Sequence, residues 1–277
     1  MRDDYGLIDS GDGRKFERFG AYTIVRPAAQ AMWRPRNPSA WSGASASFDR
    51  EDGMRWHGRS SLPKEWTIET AGISFSLSGT DFGHLGIFPE QRDDWRWIRE
   101  TVKGAGRSVS VLNLFAYSGG ATLAASQGGA EVCHLDASKG MVEWARRNAA
   151  INGLADRPIR WIVDDAHKFL QREARRGRMY DAVIFDPPSF GRGAKGEMYK
   201  IERDLKTTIE LVKGVLSKQP LFILFSSHTP GLSPAVAGNI ISQAFPGASR
   251  FESGEMLLEG VDGAFSLPSG VYSRAIW

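Results

Sequence analysis

The chain has 277 residues, of which 42% are apolar and 24% are charged, and its net charge is +3. This composition is that of an ordinary globular protein with one large core, or one large and one small core. It excludes an internal disulfide, because Cys133 is the sole cysteine, and a membrane span, because no run of 18 apolar residues occurs. The N-terminus lacks a signal-peptide pattern, so we expect a cytoplasmic location and no membrane partner.

Residues 1–80 are predicted to form a small β-rich unit that begins with a polar arm. The arm, residues 1–20, is polar and contains several glycines. Strand-like runs follow at residues 21–25 and 66–70, and residues 72–77 alternate with period two, as in a half-exposed antiparallel strand. Six of the nine tryptophans precede residue 100, which separates this region in composition from the rest.

The segment from Arg26 to Arg36 contains three arginines, no acids and Trp33. Arginine beside tryptophan suits phosphate contact and base stacking in a nucleic acid. The same residues equally suit a small unit packed by large aromatic side chains, because arginine also stacks on tryptophan within one chain. Both interpretations remain open at this point.

From Trp95 onwards, helix-like and strand-like patterns alternate. Amphipathic helices are predicted over residues 139–152 and 201–216. Residues 221–225 read as a fully buried strand, with a terminal strand over 271–277 beside it. This alternation predicts an α/β domain over residues 81–277, with a doubly wound, mostly parallel sheet and helices on both faces.

A strand, a glycine turn and a second strand follow one another in the first half of this domain. Residues 108–116 are a near-continuous apolar run, and residues 117–122 form a glycine turn that opens a helix. The next strand, Glu131–Asp136, ends in an acid 17 residues after Gly119. An acid at that spacing can accept hydrogen bonds from both ribose hydroxyls of a nucleoside. The turn lacks G-x-G-x-x-G, which disfavours a nicotinamide dehydrogenase.

The most informative motif is Asp186-Pro187-Pro188-Ser189-Phe190, directly after the apolar run Ala182–Phe185. Proline stops a strand, and the carboxyl ends of parallel strands are where open α/β sheets build active sites. The Asp186 carboxylate and the Pro187 carbonyl can orient a planar amine, and Phe190 can lie against an aromatic ring. An ordinary proline-bounded turn is the alternative.

Taken together, these motifs resemble the class I methyltransferases that use S-adenosylmethionine. Within that class, the similarity is greatest to the large-subunit rRNA methyltransferases and their uncharacterised relatives. Four segments carry the resemblance, and they span roughly residues 81–277: Gly83–Arg92, Leu112–Gly119, Asp186–Phe190 and Tyr199–Lys200.

The resemblance implies a Rossmann-like methyltransferase sheet, S-adenosylmethionine as cofactor and a set of site residues. The implied cofactor-binding residues are Phe115, Tyr117, Ser118, Gly119, Asp136 and Asp165. Asp165 matches the acid that meets the adenine amino group, with Asp164 as the alternative register and a helix N-cap as a compatible role. The implied catalytic residues are Asp186, Pro187, Pro188 and Phe190, and the implied substrate pocket contains Arg92, Tyr199, Lys200, Ser227 and His228.

Two departures from the family pattern affect the choice of substrate. Relatives that methylate carbon-5 of cytosine need a cysteine thiolate, whereas this chain has Ser227 followed by His228. Cys133 lies in a strand pattern and is predicted to be a core residue. The N-terminal region also shows no clear match to the RNA-binding module of the best-known relatives.

These observations predict a methyltransferase that modifies a nitrogen of a base in RNA by direct in-line transfer. The first alternative is a methyltransferase acting on a small molecule or a protein. A catalytically silent RNA-binding protein is the alternative from another class, and a dehydrogenase ranks last. No metal is expected, because the five histidines lack the spacing of a metal site.

Overall fold

The computed structural model describes residues 3–50, 53–192, 196 and 198–277. The chain divides into two compact units: Met1–Arg92 with Leu257–Ser269, and Asp93–Met256 with Gly270–Trp277. This division differs from the boundary predicted at residue 80. The segment Leu257–Ser269 joins the first unit partly through the backbone N–H of Val261, which donates to the Leu7 carbonyl at 2.9 Å. Residues 7 and 261 are far apart in the chain, so this contact leaves no local pattern in the sequence.

The first unit is rich in β-structure, as predicted. Five strands form a sheet in the order β1-β2-β3-β4-β5, and a separate antiparallel hairpin pairs β6 with β7. The strands are β1 Tyr5–Gly11, β2 Arg14–Phe19, β3 Tyr22–Pro27, β4 Ala46–Asp49, β5 Arg55–His57, β6 Trp66–Thr70 and β7 Ile73–Leu77.

The predicted polar arm is wrong, because residues 5–19 form the hairpin β1–β2. Asp12 and Gly13 both have positive φ, +48° and +73°, which is the geometry of a tight two-residue hairpin turn. Tyr5 and Phe19 are buried and pack with ring centroids 5.2 Å apart. A β-bulge after Leu7 shifts the register and breaks the period-two alternation, so the strand was not recognisable from its pattern.

The contacts of Arg26 and Trp33 favour packing within the unit over contact with a nucleic acid for the segment from Arg26 to Arg36. Arg26 is buried and donates to both carboxylate oxygens of Glu17, at 2.8 and 2.9 Å. Trp33 donates its indole N–H to the Ser10 carbonyl at 2.9 Å. A guanidinium neutralised in this way is not available to a phosphate group.

The second unit is built on a sheet of seven strands in the order β10-β9-β8-β11-β14-β16-β15. Its helices and strands, beginning with the helix that starts at the unit boundary, are α1 Arg92–Gly104, β8 Ser110–Leu114, α2 Gly120–Gln127, β9 Glu131–Asp136, α3 Lys139–Ile151, β10 Ile159–Val163, α4 Ala166–Arg175, β11 Ala182–Phe185, β12 Phe190–Arg192, β13 Met198–Lys200, α5 Ile201–Lys213, β14 Phe222–Ser227, α6 Pro234–Ala244, β15 Arg250–Leu258 and β16 Leu267–Ile276.

The first five strands of this sheet are parallel, and β16 runs antiparallel to β14. The predicted doubly wound, mostly parallel sheet with helices on both faces is confirmed, as is the terminal strand beside residues 221–225. The chain order reverses between β8 and β11, so a switch point lies at the centre of the sheet. Every residue of β11 and β14 is buried, which explains their continuous apolar sequence.

Capping residues define where the helices of this unit begin. Ser138 accepts from the Met141 N–H at the start of α3, and Ser233 accepts from the Val236 N–H at the start of α6. Within the described ranges, no helix has both the length and the apolar character needed to cross a bilayer.

Candidate active site

The carboxyl ends of β8, β9, β10, β11 and β14 meet at one edge of the parallel sheet. Most of the side chains singled out in the sequence immediately follow one of these strands. Parallel register therefore brings together residues that are more than 100 positions apart in the chain, such as Phe115 and His228.

The turn after β8 has an unusual backbone. Phe115 and Tyr117 have φ of +55° and +49°, and Gly119 has φ of +96°. Positive φ in bulky residues costs free energy, and such conformations concentrate at ligand sites. Gly119 caps α2, and a Cβ atom there would lie 3.1 Å from the Cβ of Ala145, so this position is tightly packed.

Asp136, at the end of β9, is joined to this turn. Its carboxylate accepts the Tyr117 N–H at 2.9 Å and the Ser138 N–H at 2.8 Å. Burial raises the pKa of Asp136, and the two N–H donors oppose that effect. The side chain is half-buried, so a ligand can reach a carboxylate that is already oriented.

A buried polar network beneath the turn was missed in the sequence. Asn113 donates its side-chain amide to Thr122 Oγ1 at 2.9 Å, and Thr122 Oγ1 lies 2.9 Å from His134 Nδ1. Burial lowers the pKa of His134 to about 3, so the imidazole is neutral at physiological pH. The signal in the sequence was a polar residue inside an otherwise apolar strand, Asn113 in β8 and His134 in β9.

The two acids after β10 have different partners. Asp165 caps α4, since its carboxylate accepts the Lys168 N–H at 3.0 Å. Asp164 forms a salt bridge with Arg172 and accepts the Asp165 N–H at 2.9 Å. The N-cap role of Asp165 is confirmed, whereas the adenine-binding role stays a prediction.

The Asp-Pro-Pro turn follows β11, between β8 and β14. Asp186 Oδ1 lies 3.6 Å from His228 Nδ1, so a residue predicted for the substrate pocket lies beside one predicted to be catalytic. Ser189 Oγ lies 2.8 Å from Thr229 Oγ1 and joins the same two loops. Phe190 is 55% exposed at the start of β12, so its ring is open to contact.

The other predicted pocket residues are distributed unevenly. Tyr199 packs edge-on against Phe115, with ring centroids 5.3 Å apart, so it lies beside the turn after β8. Lys200 is exposed, and its backbone N–H donates to Asp204 at 2.8 Å. Ser227 is buried, and its hydroxyl accepts the Thr229 N–H at 3.2 Å.

Arg92 belongs to the first unit and has the contacts of a structural residue. Its guanidinium is buried, pairs with Asp3 at 3.0 Å and lies 4.9 Å from the centre of the Tyr5 ring. Its N–H also donates to the Pro89 carbonyl at 3.0 Å. A role in the substrate pocket stays a prediction for this residue.

Cys133 is buried in the middle of β9, as expected for a core residue. Burial raises the pKa of its thiol to about 11, so the thiolate is scarce at physiological pH. Across the described part of the chain, no three His, Cys, Asp or Glu side chains cluster closely enough to hold a metal ion.

The donors and acceptors at this edge fit a nucleoside joined to an amino acid. The half-buried carboxylates of Asp136 and Asp165 can accept hydrogen bonds from hydroxyl and amino groups. The N-terminus of α2 offers backbone N–H groups and positive potential to a carboxylate.

The model of the S-adenosylmethionine-dependent methyltransferase family matches residues 47–218. Among solved structures, the SAM-dependent methyltransferase from Agrobacterium tumefaciens is 38% identical, with a TM-score of 0.94, and the alignment covers 99% of this chain and 91% of that one.

Two curated relatives act on ribosomal RNA, according to their names. Ribosomal RNA large subunit methyltransferase K of Neisseria meningitidis is 28% identical over 65% of this chain and 49% of the relative. Ribosomal RNA large subunit methyltransferase I of Photobacterium profundum is 32% identical over 59% of this chain and 40% of the relative. The matched part of the chain thus covers less than half the length of either relative.

Proposed function

The chain belongs to the family of S-adenosylmethionine-dependent methyltransferases, and we propose from this premise that it methylates a nitrogen of a base in RNA. Its cofactor is S-adenosylmethionine. The observation that carries the proposal is the Asp186-Pro187 turn, whose hydrogen-bond acceptors lie at the carboxyl end of β11 near the exposed ring of Phe190. The names of the two ribosomal relatives support RNA as the acceptor class.

Three elements would hold the cofactor. Asp136 would accept hydrogen bonds from the ribose hydroxyls, and Asp165 would accept one from the adenine amino group. The turn from Phe115 to Gly119 would contact the methionine part through its backbone. When bound, the cofactor supplies a methyl group on a cationic sulfonium, which a lone pair can attack in line.

The acceptor would be oriented by hydrogen bonds at the end of β11. An amino group has N–H donors, and both the Asp186 carboxylate and the Pro187 carbonyl accept. Alignment of the lone pair with the methyl group is the main contribution that the protein can make to such a transfer. Phe190 would stack on the base after it leaves the helical stack, which contributes about 1–3 kcal/mol.

Nitrogen is favoured over carbon-5 of cytosine because no thiolate is suitably placed. Attack on carbon-5 requires a covalent bond from a cysteine to the ring. Ser227 occupies the position of that cysteine, and Cys133 is buried with a raised pKa.

The distribution of charge supports RNA contact through the second unit. That unit contains 23 Lys and Arg against 18 Asp and Glu, whereas the first contains 12 against 14. Phosphate groups favour the surface with the positive excess. The first unit has no such excess, and Arg26 in it is already paired with Glu17.

The test is transfer of label from tritiated S-adenosylmethionine to RNA from cells that lack the protein. We expect incorporation into that RNA and none into RNA from cells that express it, because the site there is already modified. Mass spectrometry of the digested RNA should find a nucleoside methylated on a nitrogen of its base. Label that enters only protein or small molecules would contradict the proposal.

A further inference from the structure

We propose that five arginines around the C-terminus of α4 form a docking surface for the phosphate backbone of the RNA substrate. We name this set the arginine surface, and it consists of Arg157, Arg160, Arg175, Arg176 and Arg178. The inference rests on the proposed function and adds to it a second RNA contact, away from the site of methyl transfer.

The arginine surface lies at the amino ends of the parallel strands. Arg160 is the second residue of β10, and the segment Arg175–Arg178 spans the end of α4 and the turn before β11. The candidate active site lies at the carboxyl ends of the same strands. Four or five strand residues, at about 3.3 Å each, separate the two regions by about 15 Å. An RNA duplex in contact with both would extend over about four base pairs.

A buried carboxylate positions two of these arginines. Glu173 is buried, and its Oε2 atom accepts from the Tyr180 hydroxyl at 2.6 Å and from Arg160 Nη1 at 3.1 Å. Its Oε1 atom lies 3.5 Å from Arg176 Nη1. Burial raises the pKa of Glu173, but the hydrogen bonds from Tyr180 and Arg160 outweigh burial and lower it below its usual value. The carboxylate is therefore ionised, and it holds two guanidinium groups whose side chains are 39% and 66% exposed.

The remaining three arginines of the surface are exposed and carry uncompensated charge. No salt bridge to Arg157, Arg175 or Arg178 is formed by any described residue. Residues 156–178 contain seven Lys and Arg against four Asp and Glu, an excess of three that equals the net charge of the entire chain. The positive charge of the protein is thus concentrated in this segment.

Structural roles account for only part of this charge. Arg172 forms a salt bridge with Asp164, and Arg107 pairs with Asp181 at 2.9 Å. The macrodipole of a helix places about half an elementary negative charge at its C-terminus, which a single cation such as Arg175 offsets. The other cations of the arginine surface exceed what the end of α4 requires.

The chemistry of the surface favours RNA over a protein partner. Strand β10 is the edge strand of the seven-stranded sheet. Charged side chains at a sheet edge oppose strand pairing, and a second copy of the chain would bring the same positive charge. Guanidinium groups, in contrast, bind phosphate oxygens through two parallel N–H donors. RNA presents a phosphate at every nucleotide and can contact several arginines at once.

The double variant Arg175→Gln/Arg178→Gln tests the surface, because it removes two charges and leaves Glu173 and its partners in place. Filter binding would measure its affinity for RNA from cells that lack the protein, at 50 and 200 mM salt. Each phosphate contact contributes about 0.7–0.9 to the slope of log affinity against log salt. The parent should therefore lose about tenfold more affinity over this range than the variant. Calorimetry should find the same affinity for S-adenosylmethionine in both, which shows that the fold is intact.

A matched control removes two exposed cations elsewhere. Arg34→Gln/Lys103→Gln changes the net charge equally, and Lys103 is in the last turn of α1 as Arg175 is in the last turn of α4. This control should keep the salt dependence of the parent. Charge reversal in Arg175→Glu/Arg178→Glu should raise KM for RNA by about tenfold or more and leave kcat within about twofold, because the surface binds RNA equally before and during methyl transfer.

The other outcomes separate this surface from the proposed function. Equal salt dependence in the parent and in Arg175→Gln/Arg178→Gln would overturn the docking surface, while methylation of RNA by both would leave the proposed function standing. An equal change in Arg34→Gln/Lys103→Gln would reveal a general effect of charge and would also overturn the surface. If the parent transfers no methyl group to RNA, the proposed function fails, and the surface fails with it as a contact for a substrate.

Discussion

The carboxylate of Asp136 accepts the backbone N–H of Tyr117 at 2.9 Å, so the end of β9 is joined to the turn that follows β8. The two strands are neighbours in the sheet, and their last paired residues are Leu114 and Leu135, the residue before Asp136. Asp136 therefore orients the turn while its half-buried carboxylate faces the edge where the cofactor is proposed to bind.

Asp136→Ala should weaken binding of S-adenosylmethionine by about 1–3 kcal/mol, because a charged acceptor for the ribose hydroxyls is lost and the Tyr117 N–H loses its partner. Titration calorimetry measures the affinity, and circular dichroism checks that the fold is intact. Glu131→Ala removes an exposed acid at the other end of β9 and should leave the affinity unchanged. Equal affinity in Asp136→Ala would contradict the assignment.

Asp186→Ala should lower turnover by at least 100-fold and change cofactor affinity little, because the proposed role of the carboxylate is to align the acceptor. Single-turnover methylation of RNA measures the rate. Asp156→Ala, in the exposed loop after α3, serves as control and should keep the parent rate. Turnover that survives in a folded Asp186→Ala would remove this residue from the mechanism.

The fold of the second unit could be predicted from sequence because its signals are local. The apolar run Ala182–Phe185 indicates a strand, and the glycine turn at Gly119 indicates the end of another strand. Because the strands of such a sheet are parallel, their carboxyl ends are expected at the same edge. The same logic predicted that Asp136 and Asp186 would lie at one edge.

Several features depend on contacts between distant positions and were not predictable. The pairing of His228 with Asp186 requires the register between β14 and β11, and the network from Asn113 to His134 requires two strands and a helix together. The hairpin β1–β2 was hidden by its bulge after Leu7. In each case, single-sequence periodicity contains no information about the partner.

His134 should make the stability of the protein depend on pH. Its pKa in the folded chain is about 3, below the value of about 6.5 in an unfolded chain, so the unfolded state binds the proton more readily. The contribution of neutral His134 to the free energy of unfolding is fully present above pH 6.5 and is lost as the pH falls towards 3. Urea unfolding at pH 7 and pH 4 should show a loss about 3 kcal/mol larger in the parent than in His134→Gln. Parallel losses in the two proteins would rule out this contribution.

Methylation should proceed without a covalent bond between protein and RNA. The resemblance to the family puts Ser227 where carbon-5 methyltransferases have their cysteine, and burial raises the pKa of the Cys133 thiol. Cys133→Ser should therefore keep its activity. RNA containing 5-fluorocytidine traps covalent intermediates, and incubation with the enzyme and S-adenosylmethionine should give no cross-linked band on a denaturing gel. A band that disappears in Cys133→Ser would show that this cysteine attacks the base, which its position inside β9 and its raised pKa both oppose.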